Sequence, residues 1–288
     1  MITTVTVLAQ AKLNLWLHVL AKEATGYHSI ETLFHRLELA DEVVVALTQD
    51  GERSVTCTED VGPGEANLAY RAAELYCSAL DWNTGFDIQI KKRIPARGGL
   101  GGGSSDAAAT LLAMNAMSHR RLGEMSLAAL GSQLGADVPF LLTGVPMALA
   151  WGRGDRLLKL DALPQRYVAL AVPPFGISTA DAYMSFSIES RRVGQLSMQD
   201  ITDWSMLATM AYNDLSQSRA AREQPLIGRA MAALRSAGAI LAEMTGSGSV
   251  VFGIFDAEPD AAKLEEATGC QIVITRTALN VEGVSRLD

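Results

Sequence analysis

Five glycines and two serines fall within eight positions, GGLGGGSS at 98–105, wedged between a strand-like and a helix-like stretch. Upstream, GFDIQIKKRIP alternates Phe86, Ile88 and Ile90 with Asp87, Gln89 and Lys91, the pattern of a half-buried strand. Downstream, the alanine-rich DAAATLLAMN predicts a helix from about Ser105 to Met117. A flexible linker joins separate units, whereas this run turns directly from strand into helix. Two familiar phosphate patterns are excluded. The P-loop needs a Gly-Lys pair, which the chain lacks, and a G-x-G-x-x-G pattern begun at Gly99 and Gly101 meets Ser104 where its third glycine belongs.

What is left is a strand, a glycine-rich loop and a helix of another shape. Gly98, Gly99, Gly101, Gly102 and Gly103, with Leu100 between them, let successive backbone N–H groups line one concavity without side chains in the way. Ser104 and Ser105 add hydroxyls where the helix begins, and the helix start adds unpaired N–H groups and partial positive charge. This is a cradle for a polyphosphate. An ordinary tight turn with a serine cap would need one or two glycines, and further ones carry a cost in chain entropy. Asp106 suits the helix dipole but would repel a phosphate unless turned away or bridged by a metal.

A chain of 288 residues, 49% hydrophobic and 19% charged, has room for two domains. A net charge of −8 lacks the footprint of a nucleic-acid binder. Cys57, Cys77 and Cys270 form neither a disulfide framework nor a zinc-ligand pattern, which fits a reducing cytoplasm. The N-terminal stretch has no basic residue ahead of its apolar run, unlike a signal peptide, and no apolar run reaches the ~18 residues of a membrane span. Strands precede the first helix and then mix with helices, so the expected class is α+β in two layers, divided near residues 155–165.

Several smaller features carry two readings each. In AKLNLWLHV, Lys12 and Asn14 share one face of a strand; Lys12 is either a functional cation or a strand-end lysine reaching solvent. Tyr27 and His28 follow a turn at Gly26, as a stacking and hydrogen-bonding pair or as an exposed loop pair. Asp137 follows Gly135 and precedes Pro139, where an aspartate is commonly a turn or cap residue. MTGSGS, 244–249, is a second glycine turn leading into the strand VVFGIF. His18, His35 and His119 have no metal-ligand spacing and read as packing or surface histidines.

Taken in order, AKLNLWLHV, PARGGLGGGSSDAAAT and MTGSGSVVFG resemble the three motifs of the GHMP kinase superfamily. GYHSIETLF, LGADVPF, STADAY and NDL (213–215) extend the resemblance over about residues 9–255, toward the branch that acts on a cytidyl-diphosphate methylerythritol. The resemblance implies a two-domain GHMP kinase fold, a domain like the second domain of ribosomal protein S5 over 1–158 and a ferredoxin-like domain over 159–288, with the site in the cleft between them. It implies ATP and Mg2+, and phosphorylation of that substrate's 2-hydroxyl in the non-mevalonate route to isoprenoid precursors. By motif match, Lys12 and Asp137 become the catalytic pair and Gly98 to Ser105 the ATP-phosphate loop. Asn14, Tyr27, His28, Tyr183, Thr245 and Gly246 fall on the substrate side, Tyr27 and Tyr183 sandwiching the cytosine. No protein metal site, no nucleic acid and no membrane enter, and the chain needs to be no more than a monomer or weak homodimer.

The implied chemistry suits the residues, because phosphoryl transfer asks mainly for positioning and charge stabilisation. Asp137 would accept the hydroxyl proton and Lys12 would favour the developing alkoxide. A mevalonate- or homoserine-type kinase would have no base for the aromatics to stack on, and a non-catalytic nucleotide-binding protein would need neither Lys12 nor Asp137. Arg97 departs from the family pattern, standing where a small residue is expected, with contact to phosphate and exposure to solvent both open.

Overall fold

The computed structural model describes residues 3–23, 28–59, 64–187, 196–197 and 199–286. Two long strands dominate the first sheet, β1 (Thr4–Lys22) and β2 (His28–Thr48), paired antiparallel along their lengths. They are followed by β3 (Arg53–Cys57), α1 (Leu68–Ala79, capped by the Asn67 side chain) and β4 (Gly85–Lys91). Next come α2 (Gly102–Met117), α3 (Glu124–Leu134), the single turn α4 (Val138–Leu141), β5 (Met147–Gly152) and β6 (Arg156–Leu160). β2 is long enough to pair with β4 over Glu42–Thr48 and with β5 over Ile30–His35, so the sheet forks. β3 runs parallel to β4 at one edge. α1 and α2 cover one face, where Val5, Val7, Ala9, Val43, Val45 and Tyr76 bury against the alanines of α2.

The second sheet contains β7 (Tyr167–Val172), which is followed by the short helices α5 (Thr179–Met184), α6 (Trp204–Met210) and α7 (Arg219–Arg222). α8 (Pro225–Ser236), β8 (Leu241–Met244), β9 (Val251–Phe255), α9 (Ala261–Thr268) and β10 (Gln271–Arg276) complete it. Its antiparallel order β10–β7–β9–β8, with α8 and α9 as the crossovers, is the ferredoxin-like arrangement. A last short strand, β11 (Ser285–Arg286), returns to pair with the start of β1. The expected α+β class, with two sheets, is what the chain adopts.

β1 links the two halves. Val5, Val7 and Ala9 pack into the first core, whereas Ala11, Leu13 and Leu15 pack with Val168, Leu170, Phe252 and Ile254 of the second. Its pairing with β2 slips between Gln10 and Lys12 and again between Asn14 and Trp16. Such bulges twist a strand and re-aim its side chains, and here they flank Lys12 and Asn14.

One expectation changes in detail, and two local features were not anticipated. α2 begins at Gly102, three residues before Ser105, because Gly101 at φ 74° forms the entry turn without a side-chain cap. Gly135 ends α3 in an extended conformation, φ 174°, instead of the left-handed form usual for a glycine just past a helix. The IETLFHRLEL stretch, which has no clean two-residue alternation, is the middle of β2. It is buried on both faces through residues 32–37, which removes the alternation.

Glu243 in β8 is 5% exposed and donates no charge to an ion pair among the described residues; its Oε1 accepts Met244 N–H at 2.8 Å. Burial, only partly offset by that bond and by Arg235, pushes its carboxyl up to about 7. The folded state therefore holds a proton that the unfolded chain gives up above about pH 4.5, and stability falls as pH rises from there through 7. Glu243→Gln keeps the acceptor and removes the charge. Urea unfolding is expected to find it more stable than the parent at pH 8 by roughly 1–3 kcal/mol, with the gap closing at pH 4.5.

Candidate active site

Lys12 sits in the middle of β1, 3% exposed, which rules out a lysine reaching solvent. Its Nζ donates to Asn14 Oδ1 at 2.7 Å and lies 3.3 Å from Asp137 Oδ2. The Phe34 ring, stacked on Phe140, flanks the ammonium with its centroid 5.6 Å away. Asn14 is fixed in turn: its Nδ2 donates to Thr32 Oγ1 at 2.8 Å, and that hydroxyl donates to Trp16 O at 2.6 Å. Asp137 stands just ahead of α4 but makes no side-chain cap bond, so its carboxylate, 29% exposed, is directed to Lys12 rather than to the helix.

The glycine loop lies against this pair. Lys12 N–H donates to Leu100 O at 3.0 Å, and Leu100 itself is buried. Gly101 is required on two counts, since its φ is 74° and a Cβ there would press on Lys12 Cγ at 3.0 Å. Gly99 is required more strictly: at φ 79°, a Cβ would meet Thr245 O at 2.2 Å. Gly102 and Gly103 form the first turn of α2 together with Ser104, whose Oγ faces Gly135. Ser105 is buried, and its hydroxyl donates to Gln10 O at 2.7 Å, tying α2 to β1 instead of lining the open side of the loop. Gly98 O accepts Val250 N–H at 3.2 Å. Arg97 takes φ 56°, a region that favours glycine, and its side chain packs over the bare face of Gly176, where a Cβ would come within 2.8 Å of Arg97 Cβ.

Asp106 is turned away from the loop. It meets Lys92 Nζ at 2.8 Å, and Lys92 also pairs with Asp41, all three side chains being at most 6% exposed. Burial raises the Asp106 carboxyl, against the pull of Lys92. Burial opposes the Lys92 charge too, but the two carboxylates outweigh it and lift Lys92. Lys92 Nζ would lie 3.3 Å from a Cβ on Gly102, directly under the first turn of α2. Nothing in KKRIP distinguishes this lysine from its neighbour Lys91, so sequence reasoning misses the cluster.

On the other side of the pair, His28 and Tyr183 stack at 4.9 Å between ring centroids, 25° apart in plane. Burial first, then the Asp137 charge, pushes the Tyr183 phenol up, which keeps it neutral. Burial and the Lys22 charge lower His28, favouring its neutral imidazole. Tyr27 lies outside the described residues. Thr245 and Gly246 are buried: Thr245 Oγ1 accepts Asn14 N–H at 3.0 Å and lies 3.5 Å from Gly99 O, so this hydroxyl orders the site and is not free for a ligand. His18 and His35 are buried packing residues, as expected. Among the described residues there is no cluster of three or more His, Cys, Asp or Glu that could hold a metal, and no helix long and apolar enough to cross a membrane.

Known proteins resemble this chain over nearly its whole length. The family model for the GHMP kinases N terminal domain matches residues 67–145, and that for GHMP kinases C terminal matches 197–271. The 4-diphosphocytidyl-2-C-methyl-D-erythritol kinase of Geobacter sp. strain M21 is 38% identical over 275 residues, spanning 94% of this chain and 98% of its own. That of Pelotomaculum thermopropionicum is 38% identical over 282 residues, spanning 95% and 98%. A crystal structure of 4-(cytidine 5'-diphospho)-2C-methyl-D-erythritol kinase superposes with a TM-score of 0.78 at 35% identity, covering 95% of this chain and 99% of its own. Homoserine kinase from Cytophaga hutchinsonii, at 19% identity and a TM-score of 0.73, shares the fold alone. The chain thus belongs to the 4-diphosphocytidyl-2-C-methyl-D-erythritol kinase family within the GHMP kinases.

Proposed function

We propose that this chain transfers the γ-phosphoryl group of ATP to the 2-hydroxyl of 4-diphosphocytidyl-2-C-methyl-D-erythritol, releasing ADP, in cytoplasmic isoprenoid precursor synthesis by the non-mevalonate route. The observation that carries the reading is the Lys12–Asp137 pair, 3.3 Å apart, set between a glycine loop and a stacked aromatic pair. Asp137 accepts the substrate hydroxyl proton, and Lys12, pinned by Asn14, stabilises the negative charge that develops on the attacking oxygen. Loop N–H groups over Gly98 to Ser104 hold the terminal phosphates, and buried Ser105 holds the loop's helix in place. A division near 158/159 leaves the glycine loop and catalytic pair on the first part and Tyr183 on the second, so the site forms where the two meet.

Mg2+ would fit here as an ion carried mainly by the nucleotide's own oxygens, with the Ser104 hydroxyl at the start of α2 as the hard ligand the chain would add. When bound it would supply neutralisation of the phosphate charge. Tyr183, with Tyr27 and His28, is the cytosine-recognition group; a neutral phenol and a neutral imidazole stack on and hydrogen-bond to a base without a charge penalty.

Purified protein with Mg-ATP is expected to release ADP with the cytidyl substrate and not with mevalonate; the opposite pattern refutes the assignment. In the same assay Tyr183→Ala should raise KM for the cytidyl substrate by about 5- to 150-fold, the loss of ~1–3 kcal/mol of base stacking, and leave KM for ATP in place. An unchanged cytidyl KM would remove Tyr183 from the base site.

A further inference from the structure

The NDL motif is the part of the resemblance that catalysis leaves without a task, and it lies at the junction of the site. Asn213, fully buried, donates from Nδ2 to Met244 O at 2.7 Å and to Gly246 O at 2.8 Å. Its Oδ1 accepts Leu215 N–H at 2.9 Å, so every bond the amide can make inward is directed. The two carbonyls flank Thr245, so this amide grips the MTGSGS turn on either side of the residue that bonds Asn14 N–H. Thr245 O is also the atom against which the Gly99 backbone packs. The neighbouring residues hold β1: Tyr212 O accepts Leu17 N–H at 2.8 Å, Asn213 bridges Leu17, and Asp214 Oδ2 accepts Val19 N–H at 2.7 Å with His18 Nε2 3.6 Å away.

From this geometry we infer that Asn213 is a positioning residue for phosphoryl transfer. It acts through the Met244–Gly246 turn, setting the Thr245 hydroxyl that holds Asn14, and through Asn14 the Lys12 ammonium. Residues 212–214 form one rigid clamp, with the catalytic strand bonded on one side and the turn behind the phosphate loop on the other. The clamp fixes the distance between the cation on β1 and the loop that carries the phosphates. The inference rests on the proposed kinase function.

Asn213→Asp tests it, because aspartate keeps the shape and the acceptor for Leu215 N–H but replaces two donors with an oxygen facing two carbonyls. The expected result is a kcat about 10²-fold lower per nucleotide-binding site counted by calorimetry, the scale of a misplacement of about 1 Å, with both KM values moved far less. Thr245→Val should lower kcat through the same link, and the double variant should be no slower than the slower single one. Multiplicative losses in the double variant, or a normal kcat per binding-competent site in Asn213→Asp, would overturn the inference; a merely structural role lowers the number of competent sites and leaves their kcat alone. Wild-type turnover judges the kinase reading separately. Should the wild type not turn over, the amide NMR shifts of Asn14 and Gly99 read the clamp without substrate: they move in Asn213→Asp if the clamp operates, and unchanged shifts refute it.

Discussion

Asp137→Asn is expected to lower kcat by about 10²- to 10⁴-fold, the range ascribed to one general base, while ATP binds nearly as before. The side chain makes no cap bond, so its helix does not depend on it, and asparagine is close in volume. What changes is chemical: the amide cannot take the hydroxyl proton, and its interaction with Lys12 at 3.3 Å loses its charge. The glycine loop is organised by Leu100 O, Gly98 O and Thr245, in bonds that do not involve the Asp137 carboxylate. Steady-state kinetics paired with nucleotide calorimetry separates the two effects. A variant retaining a tenth or more of wild-type kcat would show that Asp137 is not the base.

Lys92→Met should remove about 3–5 kcal/mol of stability, the usual result of deleting one partner from a buried ion cluster. Methionine fills much of the space but leaves the Asp41 and Asp106 carboxylates facing each other with at most 6% of either side chain exposed. Asp41 is held there by Ile94 N–H at 2.8 Å and by Arg93 N–H, so it cannot swing to solvent without undoing the turn that leads into the glycine loop. Urea unfolding read by linear extrapolation measures the loss. Asp106→Asn, which still offers Lys92 an oxygen, should lose much less, and equal losses would show that the charge arrangement is not what matters. The cluster lies under the first turn of α2, so a drop in nucleotide affinity should accompany the loss of stability.

Residue type and order revealed the glycine loop, the Lys12–Asn14 face and the fold class, because each depends on local chemistry: glycine where backbone must face a ligand, or a lysine interrupting an apolar strand. Asp137 was visible only by resemblance, since Asp before Pro looks like any turn. Thr245 and Ser105 were expected at the site, but the direction of their hydroxyls was not legible. Whether a hydroxyl points into a cleft or toward a neighbouring carbonyl depends on tertiary packing, and here both hydroxyls turn inward to the Asn14 amide and the Gln10 carbonyl. The Lys92 cluster escaped altogether, and NDL was visible as a motif but not as a clamp. Each joins residues more than ten positions apart, one of them across 51 residues, and no periodic pattern marks such pairs. The middle of β2 escaped for the opposite reason, since burial on both faces erases the alternation that announces a strand.

One edge of β1 pairs with β2, and an unprotected opposite edge would be a template on which a second chain could grow a sheet. Here that edge is occupied in sequence by β11 at Val5 and Thr6, Leu100 O at Lys12, Thr245 Oγ1 at Asn14, Tyr212 O at Leu17 and Asp214 Oδ2 at Val19. Apart from β11, the segments that assemble the candidate site are therefore the same segments that cover this edge of β1 and keep it from recruiting a neighbour. Damage that undocks them would silence the enzyme and expose an aggregation-prone edge in a single event, so solubility and activity are tied to one set of hydrogen bonds.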